Sequence, residues 1–514
     1  MSALDRLGRR RHRSCCAACG GSHVANSWPA LRSLVGAALL GPWLAACTVG
    51  PDYVRAPALV SQNFKELKGW KVATPVDSIE RGPWWSVYND PKLNSLVQEV
   101  EISNQNVAAS AAAYEHARAL IREAQASLFP TVATGYSVTR SHQGSAVGGL
   151  TGNPTTTTTT YNPQGSASWQ LDVWGKIRRQ IESNIAGAQA SAADLANATL
   201  LAQAQLAAAY FNLKTADSLK SLLDRTIVEY KRMVEVTQNQ ARTGTVTRAD
   251  VAAAETQLLN AQSQALHVGI QRAQFEHAIA VLMGRPPADL TIARGALARR
   301  VPNIPVTVPS SLLERRPDVA AAERQTQQQN ALIGVAVAAY FPDISLSASG
   351  GFLGGIPLPF NVSNLVWSLG AAASENLFDG GLRGAQVDAA RAAYLQSVAS
   401  YRQTVLTAFQ QVEDQLAAIR ILTQELRVAE DAVKAGRIAV DVYTDQYRTG
   451  IIVITTVIVA QERLLTSEEA ALAIRQSLFV ASVNLIEALG GSWDASRLPT
   501  AAEMSAGFSL LPQL

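Results

Sequence analysis

Apolar and polar positions follow two different periods along this chain, and the switch between them comes at corresponding places in two halves. Residues 164–285 and 360–498 contain no proline, the strongest helix breaker. In stretches such as AGAQASAADLANATLLAQAQLAAAYFNL, Ala and Leu are interleaved with Gln, Asn and Ser. Alanine favours helix and lets neighbouring backbones approach closely, while the amides suit a face that meets water. The pattern predicts very long helices: the run from about Ile181 to Ala241 spans roughly 90 Å at about 1.5 Å per residue. A second period appears in DISLSASGGF, where Ile344, Leu346 and Ala348 alternate strictly with Ser345, Ser347 and Ser349. That alternation predicts a strand with one apolar and one polar face. TVATGYSVTRS after Pro130, SASWQLDV and NLVWSLGAAASENLF supply three more candidate strands.

These elements occur in two copies of one plan. NVAASAAAYEHARALIREAQASLFPTVATGYS from Asn106 matches DVAAAERQTQQQNALIGVAVAAYFPDISLSAS from Asp318, with Phe129-Pro130 and Phe341-Pro342 212 residues apart. Gly175-Lys176-Ile177-Arg178 parallels Gly380-Gly381-Leu382-Arg383 at 205, and Arg242-Thr243-Gly244 recurs as Arg448-Thr449-Gly450 at 206. Met283-Gly284 lines up with Leu489-Gly490 at the same spacing. Four anchors in one order establish a duplication. Each copy reads as a helix stopped by Phe-Pro, two strands, a very long helix, a turn at Arg-Thr-Gly and a helix back.

After the N-terminal leader no run of about 20 apolar residues appears, and Ile451 to Ala460 is too short to span a bilayer as a helix. A membrane crossing therefore has to be made by strands. Four strands neither enclose a pore nor hide their edges, and hydrocarbon does not tolerate open edges. The chain must oligomerise to at least eight strands, which leaves dimer and trimer equally open. Trp169 and Trp367 lie in strand segments, where they suit either a membrane interface or a half-buried core.

Composition narrows the function. Of the 514 residues 17% are charged and 6% aromatic, with alanine abundant, a poor match to a typical enzyme. The formal charge of +3 does not indicate a nucleic-acid partner, because residues 1–46 hold six arginines against Asp5 and the remainder is about −2. The basic residues Arg9, Arg10, Arg11, Arg13 and Arg32 precede an apolar stretch from Leu34 to Ala46, the layout of a secretory signal. Leu44-Ala45-Ala46-Cys47 resembles a bacterial lipobox, which implies cleavage before Cys47 and a covalent lipid on its thiol. Thr48 in place of Asp favours the outer membrane. Cys15, Cys16 and Cys19 fall within the leader, so Cys16-Ala17-Ala18-Cys19 reads as an accidental match. The histidines of the mature chain, His116, His142, His267 and His277, have no metal-ligand spacing, and no nucleophile elbow or phosphate loop is present. No cofactor is expected beyond the lipid. Gly350 to Gly355 reads as a strand-to-loop segment, and Thr155 to Thr160 as an exposed loop.

The chain resembles the outer membrane efflux protein family, the TolC-type channels, and within it the lipoproteins of the NodT group. The resemblance rests on Cys47-Thr48-Val49-Gly50-Pro51-Asp52-Tyr53, Trp84-Trp85 followed by NDPKLNSLV, LLERRPDVAAAE from Leu312, AAYFPDISLSASGGF from Ala338 and LFDGG from Leu377. It implies an α+β, mostly α, homotrimer: a 12-stranded outer-membrane barrel with four strands per chain, continued by a 12-helix periplasmic tunnel. The division of the chain is then a signal peptide 1–46, a lipid-anchored segment 47–92, repeats 93–300 and 301–495, and a tail 496–514. The implied function is a passive exit duct for small toxic compounds, docked onto a periplasmic adaptor and an inner-membrane pump of RND type. Protein export by a type I system is the alternative, and a lipid-anchored coiled-coil scaffold is the rival that leaves the strands unexplained.

The resemblance also places the turns Arg242 to Val246 and Tyr447 to Ile452 at the periplasmic tip. Asp250 and Tyr447 stand where family gate residues stand. Ile452 replaces an arginine there, and Thr456 and Val459 replace acids of the constriction, which implies a less acidic gate. Arg242, Thr243, Gly244, Arg448, Thr449 and Gly450 are adaptor-docking candidates, the two arginines being equally well placed to face helix C-terminal dipoles.

Overall fold

The computed structural model describes residues 48–58, 63–66, 83–143, 156–302, 304 and 312–506. Cys47 and the leader lie outside the described residues. After a single turn at Trp84–Tyr88 come α1 (Pro91–Ser103), α2 (Gln105–Ala126), β1 (Thr131–Gln143), β2 (Thr156–Leu171), α3 (Lys176–Arg242) and α4 (Arg248–Leu282). The second copy is α5 (Pro317–Ala338), β3 (Asp343–Phe352), β4 (Leu365–Ser374), α6 (Leu382–Arg448) and α7 (Ile454–Ala488). Corresponding helices match in length: α2 and α5 have 22 residues, α3 and α6 have 67, and α4 and α7 have 35. At about 1.5 Å per residue the two long helices each run about 100 Å. The duplication read from the sequence is thus a structural repeat.

Local chemistry sets the ends of these helices. Asp90 accepts from the amides of Lys92 and Leu93 ahead of α1, with Pro91 at the first helical position, where its missing N–H costs nothing. The long helices start the same way in both copies. Asp172 accepts from the amides of Ile177 and Arg178 and from the Arg178 guanidinium, and Asp379 does the same for Gly381 and Arg383. Each carboxylate therefore satisfies backbone amides at the start of its long helix.

The four strands form one antiparallel sheet in the order β1-β2-β3-β4, so β2 and β3 join the two repeats. The threonine run departs from expectation: Thr156–Thr160 belongs to β2 and pairs with Gln143–Thr139 of β1. Threonine is β-branched and favours an extended, half-exposed ladder, and that preference outweighs the low complexity of the segment. Pro163 sits in the middle of β2, and the β2–β3 ladder is interrupted beside it, resuming as an isolated bridge between Tyr161 and Gly354. A proline has no N–H to give there.

The helices form a single layer. Next to the strands the order is α2, α3, α5, α6; farther away it is α4, α3, α7, α6, the two long helices running through both levels. Their junction holds the largest core. Leu93, Leu96, Val97 and Val100 of α1 pack there with Trp84, Trp85, Leu206, Tyr210, Phe211, Phe479 and Val483. Phe211 and Phe479, one from each repeat, lie 4.7 Å apart between ring centres, and the Tyr210 hydroxyl donates to Asp90 at 2.8 Å. Each large side chain buried here contributes about 1.5–3 kcal/mol, so this cluster fixes how the two repeats meet.

The segment leaving α4 is tied back by polar groups. Arg272 bonds Asp217 of α3 at 2.8 Å and Glu276 at 2.9 Å, and Glu276 accepts from the Ile292 amide at 2.6 Å. Asp217 also accepts from the Gly295 amide at 3.0 Å.

Candidate functional site

Register sorts the side chains of the sheet into two unlike faces. Val132, Ala167, Ala348 and Leu369 are mutual partners across the four strands, and Trp169, Leu346 and Ala371 form the next row on the same side. The neighbouring rows, Thr131-Ser168-Ser347-Gly370 and Ala133-Ser166-Ser349-Ser368, point the other way. Hydroxyls meet within that face, Thr131 with Ser168 and Ser349 with Ser368, each at 2.8 Å. One side is therefore apolar with exposed aromatics, Trp367 being 72% exposed, and the other is hydroxyl-lined. A sheet apolar on its outer side and polar within is the wall of a membrane barrel that conducts water.

Two borders of the protomer lack a neighbour among the described residues. β1 and β4 are unpaired on their outer edges, and α4 and α6 bound the helical layer. The repeat explains what those helices carry. Leu465 and Leu472 of α7 are covered within the chain by the first hairpin. Their counterparts on α4, Leu259 and Leu266, are 62% and 76% exposed. On α6, Ile421 and Val428 are bare as well. Each pair is seven residues apart, the spacing of a helix seam, so each border helix presents an apolar stripe fitted to another helix of the same kind.

The two Arg-Thr-Gly turns lie at the end of the helices farthest from the strands. Gly244 and Gly450 both have φ of 73°, a left-handed conformation that favours glycine. Thr243 and Thr449 donate their hydroxyls to the Gln240 carbonyl and to the Asp445 and Gln446 carbonyls, respectively. Among the described residues Arg242 reaches Asn239 at 3.4 Å, and Arg448 pairs with Asp445 at 3.2 Å; both stay exposed.

Across these turns Tyr447 donates its hydroxyl to the Gln240 side chain, linking α6 to α3. Burial raises the Tyr447 pKa above the ordinary tyrosine value, so the phenol stays protonated as a donor. Asp250 is engaged elsewhere, accepting from the Thr247 amide at 2.9 Å and hydroxyl at 2.7 Å in a capping box that starts α4. Those bonds lower its pKa below the usual carboxylate value. Ile452 packs with Tyr447 against Val234, Ala254, Ile454, Val457 and Ile458. Thr456 is half-buried in the first turn of α7 and Val459 is exposed in the second. Sequence reasoning passed over Gln240 and Thr247; the Thr-x-x-Asp pattern marks the second, whereas only the tertiary fold reveals the first.

No cluster of His, Cys, Asp and Glu able to hold a metal ion occurs among the described residues. A sequence model of the outer membrane efflux protein family matches residues 96–285 and 308–491. The toluene efflux pump outer membrane protein TtgC of Pseudomonas putida is 28% identical over 466 residues, covering 90% of this chain and 96% of TtgC. The antibiotic efflux pump outer membrane protein ArpC of Pseudomonas putida aligns over the same share at the same identity. The outer-membrane channel OprN superposes with a TM-score of 0.81 at 28% identity, over 87% of this chain and all of OprN.

Proposed function

The chain belongs to the outer membrane efflux protein family, and from that premise we propose that it is the exit duct of a tripartite efflux system that sheds small toxic compounds. Three copies supply twelve strands and twelve helices at each level, which closes every border described above. The duct is passive: the hydroxyl-lined face of the sheet bounds the outer pore and the helical layer continues it as a tunnel through the periplasm. An inner-membrane pump of RND type drives the cargo and a periplasmic adaptor joins the two, meeting the Arg-Thr-Gly turns. Cys47 carries the lipid that tethers the assembly to the outer membrane.

The observation that carries this reading is the coincidence of an apolar and a polar face on one sheet with apolar stripes on both border helices. A coiled-coil scaffold has a use for the stripes but none for the sheet. Small-molecule cargo follows from the relatives that carry toluene and antibiotics in their names. Deleting the gene in a strain that depends on its cognate pump tests the cargo: sensitivity to solvents and antibiotics with unchanged protein secretion supports the proposal, and lost secretion of a protein with unchanged drug tolerance refutes it.

The tip closes the duct in this reading. The Tyr447–Gln240 bond and the apolar cluster around Ile452 hold the hairpins together, with Asp250 shaping the start of α4. Ile452, Thr456 and Val459 bring no carboxylate to the constriction, which makes this gate less acidic.

A further inference from the structure

The first described residues of the chain run as a strap in a groove made by both repeats. The Val49 amide donates to the Trp174 carbonyl at 3.2 Å, at the point where β2 gives way to α3. Arg179, in the first turn of α3 with its side chain only 6% exposed, then grips the strap: Nε donates to the Val49 carbonyl at 3.2 Å and Nη2 to the Gly50 carbonyl at 3.3 Å and Asp52 at 2.8 Å. Its remaining nitrogen bonds Glu182 at 2.7 Å. α5 completes the seat, with Asn330 donating to the Pro51 carbonyl at 3.0 Å and Glu323 accepting from the Tyr53 hydroxyl at 2.6 Å. Farther on, Ala56 is buried against Val319, Tyr401 and Val405.

The groove is built for this passenger. A Cβ on Gly50 would come within 2.4 Å of the Gly334 backbone, and a Cβ on Gly334 within 2.9 Å of the Arg179 side chain. Here the internal repeat breaks. At the 205- and 212-residue offsets the counterparts of Arg179, Gly334, Glu323 and Asn330 are Gly384, Arg122, Ala111 and Arg118, none of which reproduces the grip. The duplication thus departs from itself at the four residues that grip or make room for the strap, while Val319, which packs on Ala56, keeps its counterpart Val107.

We propose that Arg179 is a positioning residue for the membrane anchor: its hold on Val49–Asp52 keeps the residue next to Cys47 at the level where strands give way to helices. This rests on the lipid-anchor reading of Cys47. The clamp fixes Val49–Asp52 against the start of α3, whereas a released strap from Thr48 to Asn63 has a reach of about 50 Å at about 3.3 Å per residue. Clamping the strap converts a loose tether into a fixed height marker, and a guanidinium suits this because its rigid fork bonds two carbonyls and a carboxylate at once.

The test uses the full-length protein extracted from membranes, with nitroxides at Val54→Cys on the strap and Gln325→Cys on α5. Labelled chains are co-expressed with an excess of unlabelled ones so that the intrachain distance is read, and with Arg179 intact that pulsed-EPR distance is narrow. Arg179→Gln broadens it and speeds tryptic cleavage after Arg55 by about tenfold, the effect of a local opening made easier by one strong hydrogen-bonded grip, while the number of chains per particle and palmitate labelling stay unchanged. Arg179→Lys does not restore the narrow distance. Asp52→Ala, whose side chain is exposed, gives the same changes in smaller measure and guards against misfolding of the first variant. Wild-type width and cleavage rate in both Arg179→Gln and Asp52→Ala overturn the proposal with the anchor left standing. Absence of palmitate from the wild type overturns the anchor, and the proposal with it.

Discussion

Replacing Tyr447 by Phe deletes one hydrogen bond and leaves the ring packed against Ile452 and its neighbours, so it isolates the link between α6 and α3 at the tip. A bond of this kind at a half-buried site is worth about 1 kcal/mol net. If each chain opens independently, that shifts the open population by about fivefold. If three chains open together, the loss is about 3 kcal/mol, a shift of more than a hundredfold. Single-channel recording in planar bilayers separates the two, because independent opening gives graded sublevels and concerted opening gives one long-lived state. Gln240→Ala should match Tyr447→Phe, and the double variant should add little, as expected when both changes remove one interaction. Unaltered open probability in Tyr447→Phe and Gln240→Ala refutes the role of this bond in closure.

Other expectations follow from the same geometry. Leu266→Glu places a carboxylate in each apolar seam between copies and should yield monomers by sedimentation, with Val428→Glu behaving alike and a partly buried control, Leu465→Met, leaving the assembly intact. Gly450→Ala forces an L-residue to φ near 73°, at about 1–2 kcal/mol, and hydrogen exchange should rise locally at the α6–α7 turn while the barrel stays protected. Burial raises the pKa of Glu469 and of Glu229 above the ordinary 4.5. The folded chain then keeps protons that the unfolded chain loses, so stability is greater near the ordinary value and falls as pH rises through the raised value. Thermal melting across that window should show the slope, and Glu469→Gln should flatten it; equal slopes refute the assignment. Asp250→Ala removes an exposed capping box and should loosen the start of α4 by about 1 kcal/mol, read as faster amide exchange at Arg248–Val251, with less effect on conductance than Tyr447→Phe.

The large-scale plan was legible because it rests on one-dimensional signals. Proline-free runs, strict alternation around Ile344–Ser349 and the doubled Arg-Thr-Gly turns locate the long helices, the strands and the repeat. The threonine strand was not, since Thr156–Thr160 lacks alternation and gains its identity only by pairing with β1. The tip residues were placed by resemblance, yet their partners were not: Tyr447 meets Gln240 through the packing of α3 beside α7 and α6, a contact between residues 207 apart. Arg179 carried no signal at all in sequence. Its role appears when a segment 130 residues earlier lies against it.

The central claim is that a chain with half-finished borders closes into a duct by threefold self-association. Imaging of the detergent-extracted protein, with its mass measured in the same preparation, tests this most directly. The account predicts three chains per particle in a cylinder roughly 130 Å long, from about 100 Å of helix and about 30 Å of barrel, with detergent confined to one end. A monomer, or a slender rod without a detergent belt, contradicts it.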